Sequence, residues 1–311
     1  MDHREITMKL EGIHHVTAIT ADGQSNLDFY VGVLGLRLVK KTVNQDEPSV
    51  YHLFYADEQG SAGSDITFFE FPGASRGRAG AGMVHTIGWR VGSGQALDFW
   101  ESRLAGVGIE SRRGPETLDF SDPEGLGHQL RVVETADAPL IADHPEVPRE
   151  VALQGFDGVR AYASEPTASE GLLERLGFEL AGDGWEARGE RRGGLYAYDA
   201  PPDGPGLSGA GTVHHVAWAS TLDEHEAWRG LAAEGGAQPT PVIDRFYFRA
   251  IYFREPSGVL FEIATLGPGF TVDEPLETLG QKLSLPPDYE HLRDRVEPAL
   301  TPLRDPREVT A

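Results

Sequence analysis

Apolar and β-branched residues recur along the chain as four short strand-like segments. Each is followed by a helical pattern and then by further extended segments, in a unit of about 50 to 80 residues. The four segments are 12–19 (GIHHVTAI), 82–89 (GMVHTIGW), 155–162 (GFDGVRAY) and 212–219 (TVHHVAWA). Short apolar runs of this kind are typical of buried strands.

The positions after each segment follow helical spacing. In the first unit Leu27, Tyr30 and Leu34 fall on one face, and Ser25 is a candidate N-cap. Extended segments such as 51–55 come next. The pattern therefore predicts an α+β fold in which one β-α-β-β-β module is used four times.

Connections rich in proline, glycine or acidic residues separate the units. They are residues 72–82, 135–150 and 200–211. These boundaries predict an N-terminal domain of residues 8–140 (modules one and two) and a C-terminal domain of residues 150–270 (modules three and four). Residues 271–311 are predicted to form a C-terminal arm that packs on the body.

Composition narrows the classes of function. The chain has 311 residues, no cysteine and a formal net charge of −22. Without cysteine there is no disulfide and no thiolate chemistry, and so acidic a surface disfavours binding to nucleic acid. No apolar run is long enough to cross a membrane, and the charged start MDHREITMKL lacks the apolar stretch of a secretion signal. We therefore expect a cytoplasmic location, and the sequence leaves open whether the chain forms a homo-oligomer.

Two of the four strand-like segments carry a pair of histidines, His14-His15 and His214-His215. Because side chains alternate along a strand, one histidine of each pair should face the helices and the other the concave side of the sheet. Val16 and Trp218 have the parity of the helix-facing set. This predicts that His15 and His215, together with Thr17, face the concave side.

Glu262 lies in an otherwise apolar segment, LFEI, near the end of the fourth unit. A buried carboxylate needs a cation or strong donors. Two imidazoles and one carboxylate form the facial set of non-haem Fe(II) oxygenases and leave about three coordination positions open. We therefore predict a metal site at His15, His215 and Glu262, built by modules one and four.

Modules two and three offer weaker residues at the corresponding places. His85 has the repeat position of a ligand in module two, module three offers Gly158, and Gln129 stands where Glu262 stands. We therefore expect modules two and three to form a pair without a metal.

These residues carry a resemblance to a known family. GIHHVTAIT, NLDFYVGVLGLRLVKKTVN, TVHHVAWAS and REPSGVLFEIAT resemble the ring-cleaving dioxygenases of the vicinal-oxygen-chelate (glyoxalase/bleomycin resistance/dioxygenase) superfamily, in particular the hydroquinone-type extradiol enzymes. The resemblance covers nearly the whole chain, although modules two and three are less distinctive. It implies that the four βαβββ modules pair into two barrel-like sheets.

The resemblance also implies a function. Fe(II), or alternatively Mn(II), would be held by His15, His215 and Glu262, with an aromatic diol and O2 as the substrates. The family places five further residues around the substrate, and their types are kept here at His14, Thr17, His214, Arg245 and Tyr252.

Three alternatives remain open at the level of sequence. Glu70, in the segment FFEF, could be a fourth ligand, as in a glyoxalase-like isomerase or lyase that needs no O2. Arg245 could instead form a surface ion pair with Asp244. A drug-binding module of the same fold is disfavoured, because such a module needs no metal triad. We expect no redox role for His52 or His128.

Overall fold

The architecture follows the predicted repeat. The computed structural model describes residues 8–308, so the last three residues of the predicted arm lie outside the described part. Module one consists of β1 Ile13–Thr20, α1 Gly23–Leu27 with a π-helical continuation Asp28–Val33, β2 Arg37–Val43, β3 Tyr51–Ala56 and β4 Asp65–Glu70. Module two consists of β5 Met83–Val91, α2 Gly94–Gly106, β6 Ser111–Arg113, β7 Thr117–Ser121 and β8 Gly127–Val132.

The second half repeats the same order of elements. Module three consists of β9 Phe156–Tyr162, a 3-10 turn Pro166–Ser169, α3 Glu170–Arg175, β10 Glu179–Ala181, β11 Gly184–Arg188 and β12 Gly193–Asp199. Module four consists of β13 Thr212–Ser220, α4 His225–Glu234, β14 Ile243–Asp244, β15 Phe248–Arg254 and β16 Leu260–Pro268. The arm contains α5 Arg293–Val296 and the 3-10 turns Phe270–Val272, Leu276–Thr278, Pro287–Leu292 and Pro306–Glu308.

The sixteen strands between residues 8 and 308 form two eight-stranded sheets. The first has the order β14-β15-β16-β13-β1-β4-β3-β2 and joins modules four and one, and the second has the order β10-β11-β12-β9-β5-β8-β7-β6 and joins modules three and two. The predicted fold class, α+β with four βαβββ modules paired into two barrel-like sheets, is confirmed. Each sheet takes one module from each half of the chain, so the sheets do not follow the division into 8–140 and 150–270. That division stays a prediction about folding units.

The faces of the first sheet follow the predicted alternation. Val16 and Trp218 are fully buried in the main core under the helices. Ala217 belongs instead to a smaller apolar cluster on the other face, with Phe54, Phe248 and Phe270. The first helix differs in one detail from the prediction, because its N-cap is Asp22, whose side chain accepts a hydrogen bond from the Ser25 amide.

The arm is fixed to the first sheet by a buried cation. Lys40 is completely buried, and its Nζ donates to Asp273 Oδ1 at 2.7 Å and also to Glu274. The same ammonium lies over the ring of Tyr247, 5.0 Å from its centroid. Because Asp273 and Glu274 belong to the arm, Lys40 to β2 and Tyr247 to the turn that precedes β15, this cluster holds the arm against the concave side of the first sheet. No helix within residues 8–308 is long and apolar enough to span a bilayer.

A buried histidine links modules one and two. Trp89 Nε1 donates to His128 Nδ1 at 3.1 Å, so the proton of the His128 ring lies on Nε2. His128 Nε2 can then donate to the Tyr30 hydroxyl at 3.0 Å, and Tyr30 donates to Asp122 Oδ2 at 3.0 Å. Burial lowers the pKa of His128 to about 3. Both ring nitrogens are used within the core, which explains why His128 is not available for chemistry.

The His128 chain predicts an acid-sensitive contribution to stability. The unfolded chain takes up a proton at His128 as the pH falls through its ordinary pKa of 6.5, whereas the folded chain does not do so until about pH 3. This contribution is therefore complete above pH 6.5 and is lost toward pH 3, by about 1.4 kcal/mol per pH unit. Urea unfolding should give a larger free energy of unfolding for the wild type than for His128→Gln at pH 7. This difference should become smaller at pH 5. A constant difference over that range would contradict this assignment.

Candidate metal centre

The candidate centre lies where the first and last modules meet. β1 and β13 pair antiparallel with Thr17 opposite His215 and His15 opposite Ala217. β16 runs parallel to β13 and places Glu262 beside Ala217. These pairings bring His15, His215 and Glu262 together on the concave face, as the sequence predicted for that face.

The three side chains present their ligand atoms as a compact triangle. His15 Nε2 lies 3.2 Å from His215 Nε2 and 3.2 Å from Glu262 Oε2, and His215 Nε2 lies 2.8 Å from Glu262 Oε2. Donors bound at right angles to each other on a metal, with bonds of about 2.1 Å, would be separated by about 3.0 Å. The triangle therefore has the size of one face of an octahedron, which leaves three positions free.

The surroundings of Glu262 fit a cation. Glu262 is fully buried, and neither carboxylate oxygen has a hydrogen bond of acceptable geometry within the described residues. Burial alone would raise its pKa, but the imidazoles of His15 and His215 outweigh this effect and hold the pKa of Glu262 well below its usual value. An ionised carboxylate in such a place needs positive charge. These three are also the one group among the described residues whose ligand atoms could hold a metal ion together.

A β-bulge interrupts the ladder at each tandem pair. Along β1 the pairing passes from Ile13 directly to His15, and along β13 it passes from Val213 directly to His215. His14 and His214 are therefore the extra residues of two bulges, which re-aim a side chain that alternation would send to the other face. Strict alternation predicted that His14 and His214 face the helices together with Val16 and Trp218. Because of the bulges, that prediction is wrong for these two histidines.

The bulges allow the first histidine of each pair to bind the second. His14 Nδ1 lies 2.9 Å from His15 Nδ1, and His214 Nδ1 lies 2.8 Å from His215 Nδ1. His14 Nε2 lies 3.1 Å from the Thr265 carbonyl, which can only accept, so the His14 proton is on Nε2. Burial lowers the pKa of His14 to about 3, so its Nδ1 is a free acceptor. His15 must then donate from Nδ1, and its Nε2 keeps a lone pair for a metal.

A cavity of about 460 Å³ opens above the triangle. This is the size of a site for a small organic molecule. Six of the eight residues predicted to form the site line it, and these are His15, His214, His215, Arg245, Tyr252 and Glu262. Aromatic rings form much of its remaining wall, from Phe54, Phe69, Phe71, Tyr247 and Phe248.

Arg245 and Tyr252 close one side of this cavity. Arg245 donates to both carboxylate oxygens of Asp46, at 3.2 and 3.1 Å, and its Nε lies 3.3 Å from the Tyr252 hydroxyl. The alternative prediction, an ion pair between Arg245 and Asp244, is wrong, because Asp244 lies beside Arg249 instead. Burial, and then the charge of Glu262, raise the pKa of Tyr252, so this hydroxyl remains a donor.

Thr17 is near the cavity but does not line it. Its side chain is fully buried, and its Oγ1 lies 2.8 Å from Thr67 Oγ1 on the neighbouring strand. Thr67 in turn lies 2.8 Å from His52 Nε2, and His52 does line the cavity. No function is predicted for His52 from the sequence, although it has the same strand parity as Phe54.

Glu70 lies away from the triangle. The register of the parallel strands places Thr67 beside Thr17, just as Glu262 lies beside Ala217. Thr67, and not Glu70, thus occupies the ladder position that corresponds to Glu262. The Glu70 carboxylate accepts a hydrogen bond from the Gly23 amide at the start of α1, at 2.9 Å.

The second sheet repeats the geometry without the ligands. The β5–β9 ladder skips His85 and Asp157, so His85 is a bulge residue like His214 rather than the counterpart of a ligand. The ladder positions of the three ligands are taken by Thr86, Gly158 and Gln129. His85 contacts Asp199 Oδ2 at 2.9 Å and stacks on Tyr162. Glycine, threonine and glutamine are poor ligands for a first-row metal.

Comparison with known proteins gives consistent matches. Residues 12–130 match the family model described as the Glyoxalase/Bleomycin resistance protein/Dioxygenase superfamily. The chain is 43% identical over 305 residues to "Putative ring-cleaving dioxygenase MhqO" of Bacillus subtilis (strain 168), with 94% of this chain and 97% of that protein covered. It is 32% identical over 322 residues to "Chlorohydroquinone/hydroquinone 1,2-dioxygenase" of Sphingobium indicum, with 97% and 98% covered. A crystal structure described as a "putative dioxygenase" from Bacillus subtilis superposes with a TM-score of 0.89 at 41% identity, over 96% of this chain and 99% of that one.

The geometry predicts which side chains retain a metal. His215→Ala removes one of three ligand atoms and should lose most of the metal that remains after loading and desalting. His85→Ala and Glu70→Gln should keep the wild-type content, because neither side chain belongs to the triangle. Elemental analysis of the purified proteins measures this directly. Equal loss from His215→Ala and His85→Ala would overturn the assignment.

Proposed function

This chain belongs to the glyoxalase/bleomycin resistance protein/dioxygenase superfamily, and on that basis we propose that it is a ring-cleaving dioxygenase. It opens a hydroquinone-type aromatic diol with O2, using Fe(II) held by His15, His215 and Glu262. The observation that carries this proposal is the facial triangle of three donors at the base of an aromatic-walled cavity. Mn(II) would fit the same donors, and a catechol is the alternative substrate.

The donor set supports a reaction with two substrates at one metal. His15, His215 and Glu262 would hold a ferrous ion, and such an ion would supply electron transfer from the diol to O2. Thr67 occupies the ladder position where a fourth protein ligand would stand, so that side of the metal site stays open to substrate. The isomerase alternative needs Glu70 as a ligand, and the bond from the Gly23 amide engages that carboxylate elsewhere.

The remaining side chains bind and orient the substrate. With His215 Nε2 as a metal ligand, His215 Nδ1 donates to His214 Nδ1, so His214 keeps its proton on Nε2 and can donate a hydrogen bond to an oxygen in the cavity. Tyr252 offers a second donor from β15. Arg245 stabilises negative charge on the diol, and Asp46 holds its guanidinium in place. Thr17 does not line the cavity and acts through its hydrogen bond to Thr67.

The proposed reaction predicts oxygen consumption that depends on the triad. Protein loaded anaerobically with Fe(II) should consume one O2 per ring opened when hydroquinones and catechols are supplied. Glu262→Gln should lose nearly all of this uptake, because the carboxylate charge is removed, whereas Glu70→Gln should retain it. An oxygen electrode and product absorbance follow the two quantities together. Turnover of a carbonyl substrate without O2, lost in Glu70→Gln, would support the isomerase instead.

The tandem histidines predict a second effect on turnover. His14→Ala and His214→Ala each remove the acceptor that fixes the proton of a ligand imidazole on Nδ1. Loss of such a partner typically costs about 10- to 100-fold in metal affinity or activity. Steady-state kinetics should show this loss, with partial rescue in His14→Asn, whose amide oxygen can accept the same proton. Full turnover and full metal content in both alanine variants would mean that the first histidines serve only the fold.

A further inference from the structure

A fourth histidine faces the same cavity from the module-one side. His52, on β3, lines the cavity and is packed between Phe54 and Phe69, with ring centroids 4.0 and 4.5 Å away. Phe69 also lies 6.4 Å from the ring of His215. One aromatic ring therefore spans the distance between His52 and a ligand of the triangle.

The ring of His52 is held by a short chain of hydroxyls. His52 Nε2 lies 2.8 Å from Thr67 Oγ1, which lies 2.8 Å from Thr17 Oγ1. Thr17 and Thr67 are both fully buried, and within the described residues the chain of bonds ends at Thr17. A chain without an exit to solvent cannot carry protons away. Its effect is to orient the His52 ring.

The other nitrogen of His52 remains available. Nδ1 has no hydrogen-bond partner among residues 8–308. Thr42 lies directly opposite His52 in the β2–β3 ladder and also lines the cavity. Directly opposed residues project from the same face of a sheet. Thr42 Oγ1 is buried and has no partner of acceptable geometry in the described part of the chain. That oxygen is enclosed and interacts with the Tyr247 side chain, so His52 Nδ1 is the group of this pair that is free to bind a ligand.

We propose that His52 Nδ1 binds the hydroxyl group of the aromatic diol that is not bound to the metal. This inference rests on the proposed function. The two oxygens of a 1,2-diol are neighbours and can both reach one metal ion. The oxygens of a 1,4-diol lie at opposite ends of the ring, and the second one needs a partner within the cavity.

The chemistry of His52 matches a phenolic hydroxyl. A neutral imidazole has one donor and one acceptor nitrogen, and the hydroxyl chain behind it can run in either direction. His52 Nδ1 can therefore donate to the remote oxygen or accept from it. A buried site built to bind a hydroxyl disfavours a ligand that lacks it.

The test compares two ligands that differ by that hydroxyl alone. Anaerobic titration of the Fe(II)-loaded protein measures the Kd of hydroquinone and of phenol. We expect hydroquinone to bind the wild type more tightly than phenol does, and His52→Phe to reduce the ratio of the two affinities by about fivefold. Phenylalanine keeps the packing between Phe54 and Phe69. His85→Ala, on the other sheet, should keep the wild-type ratio.

Each outcome bears on one proposal. A general disturbance of the cavity in His52→Phe would weaken the binding of phenol and hydroquinone alike and leave the ratio of affinities unchanged, which would overturn the role of His52. Equal affinity of the wild type for the two ligands would overturn it as well. If the ratio falls as expected but no diol supports oxygen uptake, the hydroxyl-binding assignment stands and ring cleavage is wrong. Catechol affinity that drops together with hydroquinone affinity in His52→Phe would refute a contact of His52 with the remote oxygen of a 1,4-diol.

Discussion

The ladder between β1 and β13 joins residues that are 200 positions apart in the chain, and the candidate site depends on it. Thr17 opposite His215 and His15 opposite Ala217 set the distance between the two imidazoles. The parallel pairing of β13 with β16 then adds Glu262. Every ligand atom is thus placed by backbone hydrogen bonds of one sheet, which gives more precise positions than loops would. Without this pairing the carboxylate would be buried with no compensating charge.

The two bulges turn that sheet into a site with defined protonation. A bulge at His14 and another at His214 place each first histidine beside the ligand imidazole that follows it. The Thr265 carbonyl fixes one end of this network, so the lone pair of His15 Nε2 is directed toward the metal position. The second sheet has the same bulges at His85 and Asp157 but no ligands. The bulges therefore belong to the fold, and the residue types on one sheet supply the chemistry.

Much of this arrangement could be predicted from the sequence. The repeat identified all four modules, and the paired histidines with Glu262 identified the three converging side chains and the pairing of modules one and four. What the pattern missed depends on register. An end-of-strand carboxylate suggested Glu70, yet the parallel ladder gives its position to Thr67. A shift of one residue made His85 resemble a ligand. Bulges and parallel registers are set by pairing between distant strands, so a local pattern of residues does not reveal them.

His52 is a residue whose role no sequence pattern indicated. Its position next to Phe54 carried no motif, and its use follows only from its place on the cavity wall and from the threonines behind it. The most direct test of the central claim is a crystal structure of protein loaded anaerobically with Fe(II), with the ion located by its anomalous scattering. The account predicts one ion, about 2.0–2.2 Å from His15 Nε2, His215 Nε2 and a Glu262 oxygen, with mutually perpendicular bonds and no fourth protein ligand. An ion bound by Glu70 or Thr67, or located on the second sheet, would contradict it.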